Sequence, residues 1–84
     1  MTTQIQEPEA SDLFFQAENS DKEYHLQLTQ DEDENGWMVT AQWGRRGSEL
    51  HDEIKIAGAS FDDAKKLYDK TLNSKLKKGY QPER

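Results

Sequence analysis

Trp37-Met38-Val39-Thr40-Ala41-Gln42-Trp43-Gly44-Arg45-Arg46-Gly47 reads as a strand that runs straight into a glycine-arginine turn. Trp37, Val39, Ala41 and Trp43 share one parity and alternate with Met38, Thr40 and Gln42, the period-2 pattern of a strand with one buried face. The strand is expected to end at Gly44. Gly44 and Gly47 bracket two arginines, so the backbone is free to take positive φ while it holds two guanidinium groups on a short arc.

Upstream of this strand, residues 30–36 form an acidic loop closed by Asn35-Gly36, a pair that favours left-handed turn geometry and so a hairpin. Lys22 to Thr29 then supplies the partner strand, with Tyr24, Leu26 and Leu28 facing inward and Glu23, His25 and Gln27 outward. Short connections join antiparallel neighbours, so a meander is the expected pairing. Before the turn cluster Glu18-Asn19-Ser20-Asp21, Leu13 to Ala17 reads as a first short strand with apolar residues on both faces. Residues 1–12 are polar and acidic with a proline at position 8, which predicts a flexible tail.

Downstream, a fourth strand is expected from about residue 50 to 57, where Leu50, Ile54 and Ile56 share a parity and Asp52 interrupts the apolar series. That interruption predicts a bulge near Asp52 or Glu53. Gly58-Ala59 turns the chain, and Ser60-Phe61-Asp62-Asp63 has the form of a serine N-cap followed by first-turn acids. A helix is predicted over residues 61–78 with Phe61, Ala64, Leu67, Tyr68, Leu72 and Leu76 as its apolar stripe and Gly79 as its stop. Tyr80 is expected to fold back on the body of the domain, and residues 81–84 to fray. The sum is a small α+β fold: an antiparallel sheet of about four strands packed against one long C-terminal helix, with Tyr24, Leu26, Val39, Leu67, Tyr68 and Leu72 in the core.

A chain of 84 residues holds one small domain, here residues 13–80. The absence of cysteine excludes disulfides and thiolate metal sites and fits a reducing cytoplasm. No apolar run approaches the roughly 20 residues of a membrane span, and the polar start is unlike a signal peptide. The expected setting is therefore cytoplasmic, without a membrane partner. The net charge of −6 conceals an asymmetry. Residues 1–35 carry ten acids and a single base, Lys22, whereas residues 36–84 carry ten bases and seven acids. This split argues against a bulk nucleic-acid coat and leaves room for a local polyanion-facing patch.

Trp43-Gly44-Arg45, with Lys22-Glu23-Tyr24 before it and a helix ending Lys75-Leu76-Lys77-Lys78-Gly79-Tyr80 after it, resembles the WGR domain family. That family is found in poly(ADP-ribose) polymerases, in some bacterial regulators and as small free-standing bacterial proteins. The resemblance implies a binding module and no enzyme. In the polymerase members the tryptophan and arginine of the motif lie at the DNA end and at contacts with neighbouring domains, roles that carry onto Trp43 and Arg45. Two positions depart from the family pattern: Arg46 stands where an aliphatic residue is common, and Ser48-Glu49-Leu50 lacks a glycine that many members have.

Two readings of the motif stay open in the sequence. By parity, Trp43 shares the core face of Trp37 and Arg45 pairs with a nearby acid. By position, a tryptophan at the end of a strand sits on the sheet's rim, where an indole offers a flat face to a base or sugar. The lysines of the last helix are either a solvated face or a phosphate footprint. The candidate nucleic-acid-binding residues are Trp43, Gly44, Arg45, Arg46, Lys75, Lys77 and Lys78, and the expected ligand is nucleic acid, DNA ends or breaks in particular. The alternative is a protein-protein interaction module that docks a separate partner. No catalytic residue, metal site or cofactor is expected: His25 and His51 stand apart, the acidic run Asp31 to Glu34 is too short for a calcium loop, and Ser48 has no general base in view.

Overall fold

Strand β1 spans Glu9–Ala17, β2 Ser20–Asp31, β3 Gly36–Arg45 and β4 His51–Ala59, followed by helix α1 over Phe61–Lys77. The computed structural model describes residues 7–18, 20–31 and 35–82. The strands form one sheet in the order β1-β2-β3-β4 with every neighbour antiparallel, the meander that short connections favour. Helix α1 lies on one face of this sheet, giving the two-layer α+β fold.

The core is where the two alternating patterns meet. Tyr24, Leu26 and Leu28 of β2 and Trp37, Val39 and Ala41 of β3 are buried together with Leu13 of β1 and Phe61, Ala64 and Tyr68 of α1. Each fully buried Leu or Val there stabilises by about 1.5–3 kcal/mol. Leu67 and Leu72, expected in the core, are only half-buried and pack against its margin. Trp37 meets Phe61 edge to face at 4.9 Å between ring centroids, which fixes the start of the helix against β3.

Local signals set the ends of the elements. Asn35 takes φ of 55°, as the Asn-Gly turn requires. Gly36 serves a different purpose: a Cβ on it would stand 2.8 Å from the Ala59 carbonyl oxygen, so β3 and β4 approach too closely there for any side chain. The Ser60 hydroxyl accepts the Asp63 N–H at 3.2 Å, an N-cap worth about 1 kcal/mol. At the other end Tyr80 N–H donates to the Lys75 carbonyl and Gly79 N–H to that of Leu76, with Gly79 at φ 105°. This Schellman closure folds Tyr80 back onto Phe15, whose ring lies 5.4 Å away.

Three features of the fold differ most from expectation. β1 begins at Glu9, four residues before Leu13, because Glu9 to Asp12 pair in register with Leu28 to His25. Their polar side chains also find partners: the Ser11 hydroxyl lies 2.5 Å from that of Tyr68, and Glu9 pairs with Lys65. The expected flexible tail is therefore shorter than 1–12 on its inner side, and its first six residues lie outside the described ones. At the far end Gln81, expected to fray, exchanges two backbone hydrogen bonds with Phe14 at 2.7 and 2.8 Å; residues 83–84 lie outside the described ones.

The third difference is in β4. Its register slips opposite Trp37–Val39 and Val39–Thr40, beside Lys55 and Ala57-Gly58, and not at Asp52 or Glu53. Gly58 adopts φ of 64° and donates its N–H to the buried Asp31 carboxylate at 3.1 Å, so a side chain from β2 satisfies the amide that the bulge leaves out of the ladder. The slip also separates Ile54 from Ile56. Ile56 pairs with inward-facing Val39 and is half-buried, whereas Ile54 pairs with Thr40 and is 64% exposed.

Candidate functional site

The Trp-Gly-Arg tripeptide forms the last three residues of β3. Gly44 stays within the strand, and its missing side chain makes room for Leu50, whose Cδ2 would lie 3.1 Å from an added Cβ. The turn itself is Arg45 to Ser48, closed by the Ser48 N–H on the Arg45 carbonyl at 3.0 Å with Gly47 at φ 84°. Arg45 and Arg46 diverge here. The Arg46 N–H donates to the Asp21 carbonyl at 2.8 Å and its guanidinium lies 3.5 Å from the Asp21 carboxylate, which fastens the turn to the start of β2.

Strand register assembles the rest. Across β2 and β3, Tyr24 stands opposite Trp43 and Lys22 opposite Arg45; across β3 and β4, His51 stands opposite Trp43. The Trp43 indole is half-buried. It stacks on Tyr24 with centroids 6.2 Å apart and planes 26° from parallel, and His51 lies 5.9 Å away. Trp43 is thus the shared wall of two open hollows. One, of about 390 Å³, lies towards the helix and is lined also by Tyr24, Lys55, Lys70, Lys75 and Lys78, with Glu53 as its one carboxylate among the described residues. The other, of about 340 Å³, lies towards the turn and is lined by Lys22, Arg45, His51 and Tyr80.

Lys75 sits at the centre of the basic groups. Its ammonium lies 4.5 Å from the ring centroid of Tyr24 and 5.5 Å from that of Tyr80, a cation held by π faces and not by a carboxylate. Burial, and then the positive charges of Lys78, Lys55 and Lys22, pull its pKa below the ordinary lysine value. Burial likewise raises the Tyr24 phenol, against the opposing pull of the Lys55 ammonium. Lys55 is tied to Glu53 at 3.5 Å. Among the described residues Lys22, Arg45, Lys75 and Lys78 have no carboxylate within ion-pair distance. Mutually repelling cations of this kind are stabilised by any anion that enters between them.

Of the residues singled out in the sequence, Trp43, Gly44, Arg45, Lys75 and Lys78 line the two hollows. Arg46 is turned to Asp21, and Lys77 lines a separate shallow surface with Lys70, Asn73 and Lys78. Lys22, Tyr24, His51, Lys55 and Tyr80 complete the groove and were not among the candidates. For two of these a signal was available: a hairpin that pairs Asp31 with Gly36 necessarily sets Tyr24 across from Trp43 and Lys22 across from Arg45.

A four-stranded meander with one covering helix and an aromatic, cationic groove at the helix's C-terminal end defines a small α+β domain. The WGR domain family model matches residues 11–84, essentially the whole chain, and the protein belongs to the WGR domain family. The match takes in Ser11, Asp12 and Gln81, in keeping with their places in the sheet. Comparison with curated proteins and with solved structures returns no significant match. Among the described residues, no helix is long and apolar enough to cross a membrane.

Proposed function

We propose that the domain is a non-catalytic module that binds nucleic acid at an end or a break, with an unstacked base or its sugar against Trp43 and the adjoining phosphates on Lys22, Arg45, Lys75 and Lys78. The observation that carries this reading is the position of Trp43 as a half-buried wall between two hollows that both hold unpaired cations. An indole in that setting offers one edge and part of one face, and a base inside an intact duplex has no free face to meet it. A terminal, nicked or single-stranded base does. Family membership supports the same reading, since WGR domains of poly(ADP-ribose) polymerases bring the motif's tryptophan and arginine to a DNA end.

The test is fluorescence anisotropy with a blunt duplex, a duplex whose ends are closed by hairpin loops, and a single strand, across a salt series. The expected order places blunt and single-stranded DNA above the closed duplex, with a log–log salt slope for four phosphate contacts of about −3.6 on the blunt duplex and about −2.8 on the single strand. Equal binding of open and closed duplexes refutes recognition of ends. No binding of any of the three at low salt refutes the nucleic-acid reading and favours the alternative, a docked protein.

A further inference from the structure

Helix α1 covers one face of the sheet, and no helix or strand among the described residues covers the opposite face. There β2, β3 and β4 present His25, Gln27, Thr40, Gln42, Asp52 and Ile54 around a shallow hollow of about 570 Å³. Ile54 is 64% exposed. Its pairing with Thr40 directs it to this face, and the slip at Lys55 keeps it from following Ile56 inward.

The charge of the face is one-sided. Asp12 and Glu23 flank His25, each carboxylate 2.7 Å from a ring nitrogen. Asp52 accepts one hydrogen bond from the Gln42 amide at 2.6 Å and has no cationic partner among the described residues. No lysine or arginine lines the hollow. A nucleic acid approaching here meets carboxylates and an isoleucine, the reverse of the Trp43 groove. Ile54 and Asp52 lie two residues apart, so they project to the same side of β4. β4 is also the last strand in the sheet order, and its outer backbone edge carries no strand among the described residues.

We propose that this surface docks a partner protein by strand addition: an extended segment pairs with the outer edge of β4 along His51 to Ile54. On its face towards the open side it carries a lysine or arginine beside Asp52 and, two residues away, an aliphatic side chain beside Ile54. Backbone pairing supplies the affinity, and the two same-face neighbours set the register. An arginine suits the first position because Asp52 is a carboxylate without a counter-ion among the described residues. A second copy of this chain is a poorer occupant, since among the described residues its cations without a carboxylate partner lie on α1 (Lys66, Lys70, Lys75, Lys77), at its C-cap (Lys78) or on β2 and β3 (Lys22, Arg45), and none lies on the edge strands β1 and β4. This surface is independent of the nucleic-acid reading, because Asp52 and Ile54 face away from Trp43.

The test uses the full chain, isotope-labelled, titrated with a capped synthetic peptide Arg-Thr-Val-Thr repeated twice. A control peptide Arg-Val-Thr-Thr repeated twice has the same composition and charge but puts arginine and valine on opposite faces. The first peptide is expected to shift amide resonances of His51 to Ile54 and their β3 partners, and to bind more tightly than the control. Ile54→Asp and Asp52→Asn, both at exposed positions, should each weaken binding about tenfold, while Arg45→Ala leaves it unchanged. Equal binding of both peptides, or shifts spread over the acidic residues and insensitive to both substitutions, overturns the proposal as mere adsorption of a cation. A concentration-dependent dimer abolished by Ile54→Asp overturns it in favour of self-docking.

Discussion

At Trp43 the parity of the strand and its position on the sheet act against each other. Parity aims the indole at the helix side, where Trp37 is 6% exposed, but only the last turns of α1 reach that end of β3, and the ring is left half-buried against Tyr24. The two tryptophans should therefore separate in a urea titration. Trp37→Ala is expected to cost about 3–5 kcal/mol, the scale for a truncated core aromatic, and Trp43→Ala about 2 kcal/mol. In binding, Trp43→Ala should lose about 1–3 kcal/mol of stacking with little change in salt slope. Equal costs for the two would return Trp43 to the core. His25 offers a second test. Burial disfavours its charge, but the hydrogen bonds it donates to Asp12 and Glu23 outweigh that and raise its pKa above the ordinary 6.5. A raised folded-state pKa adds stability that is complete below the unfolded value and lost as pH climbs through the folded one. Unfolding midpoints should therefore fall as pH rises above the ordinary histidine value of 6.5 in the wild type, and fall less in His25→Gln.

The elements differ in how far local sequence determines them. β2, β3 and α1 were legible because alternation, the Asn35-Gly36 turn, the Ser60 cap and Gly79 each act within a few residues. β1 was legible only from Leu13, because Glu9 to Asp12 gain their extended form from pairing with β2 and from Lys65 and Tyr68 on the helix. The slip in β4 was misplaced for the same reason: Asp31, some 27 residues earlier, holds the Gly58 amide. Of the groove, Trp43, Arg45, Lys75 and Lys78 stood out as residue types in a motif. Lys55 and His51 come from β4 and Tyr80 from the segment after α1, and no local pattern records their meeting with Trp43. The longer β1 changes what truncation should do. A chain beginning at Glu9 keeps the strand whole and should melt close to the full chain. One beginning at Leu13 loses four ladder positions, the Lys65 pair and the Tyr68 hydrogen bond. Its melting temperature should drop by several degrees, about 4–8 °C for each kcal/mol lost in a domain of this size. Equal melting of the two would mean that the first four of the nine residues of β1 contribute nothing.

On the scale of the whole molecule, the proposed function asks a chain of charge −6 to hold a polyanion in a cationic groove, and distance decides whether those charges conflict. Asp62 and Asp63 occupy the first turn of α1, whereas Lys75 and Lys78 lie at its end, roughly 20 Å away at 1.5 Å per residue. The screening length is about 30 Å at 0.01 M salt and about 8 Å at 0.15 M. The acids at the far end of the helix thus oppose an incoming phosphate chain at low salt and scarcely act on it at physiological salt. Replacing both by asparagine should raise the affinity for a blunt duplex about two- to fivefold at 0.01 M, with the gain vanishing by 0.15 M. The double variant loses favourable charge at the helix N-terminus, about 0.3–1 kcal/mol for each acid, which leaves the domain folded. Lys75→Ala and Lys78→Ala act at contact distance, so each should weaken binding at both salts and flatten the salt slope by about one phosphate. A gain from the asparagine pair that persisted undiminished at 0.15 M would place the nucleic acid beside the start of α1, and the groove at Trp43 would then have to be abandoned as its binding surface.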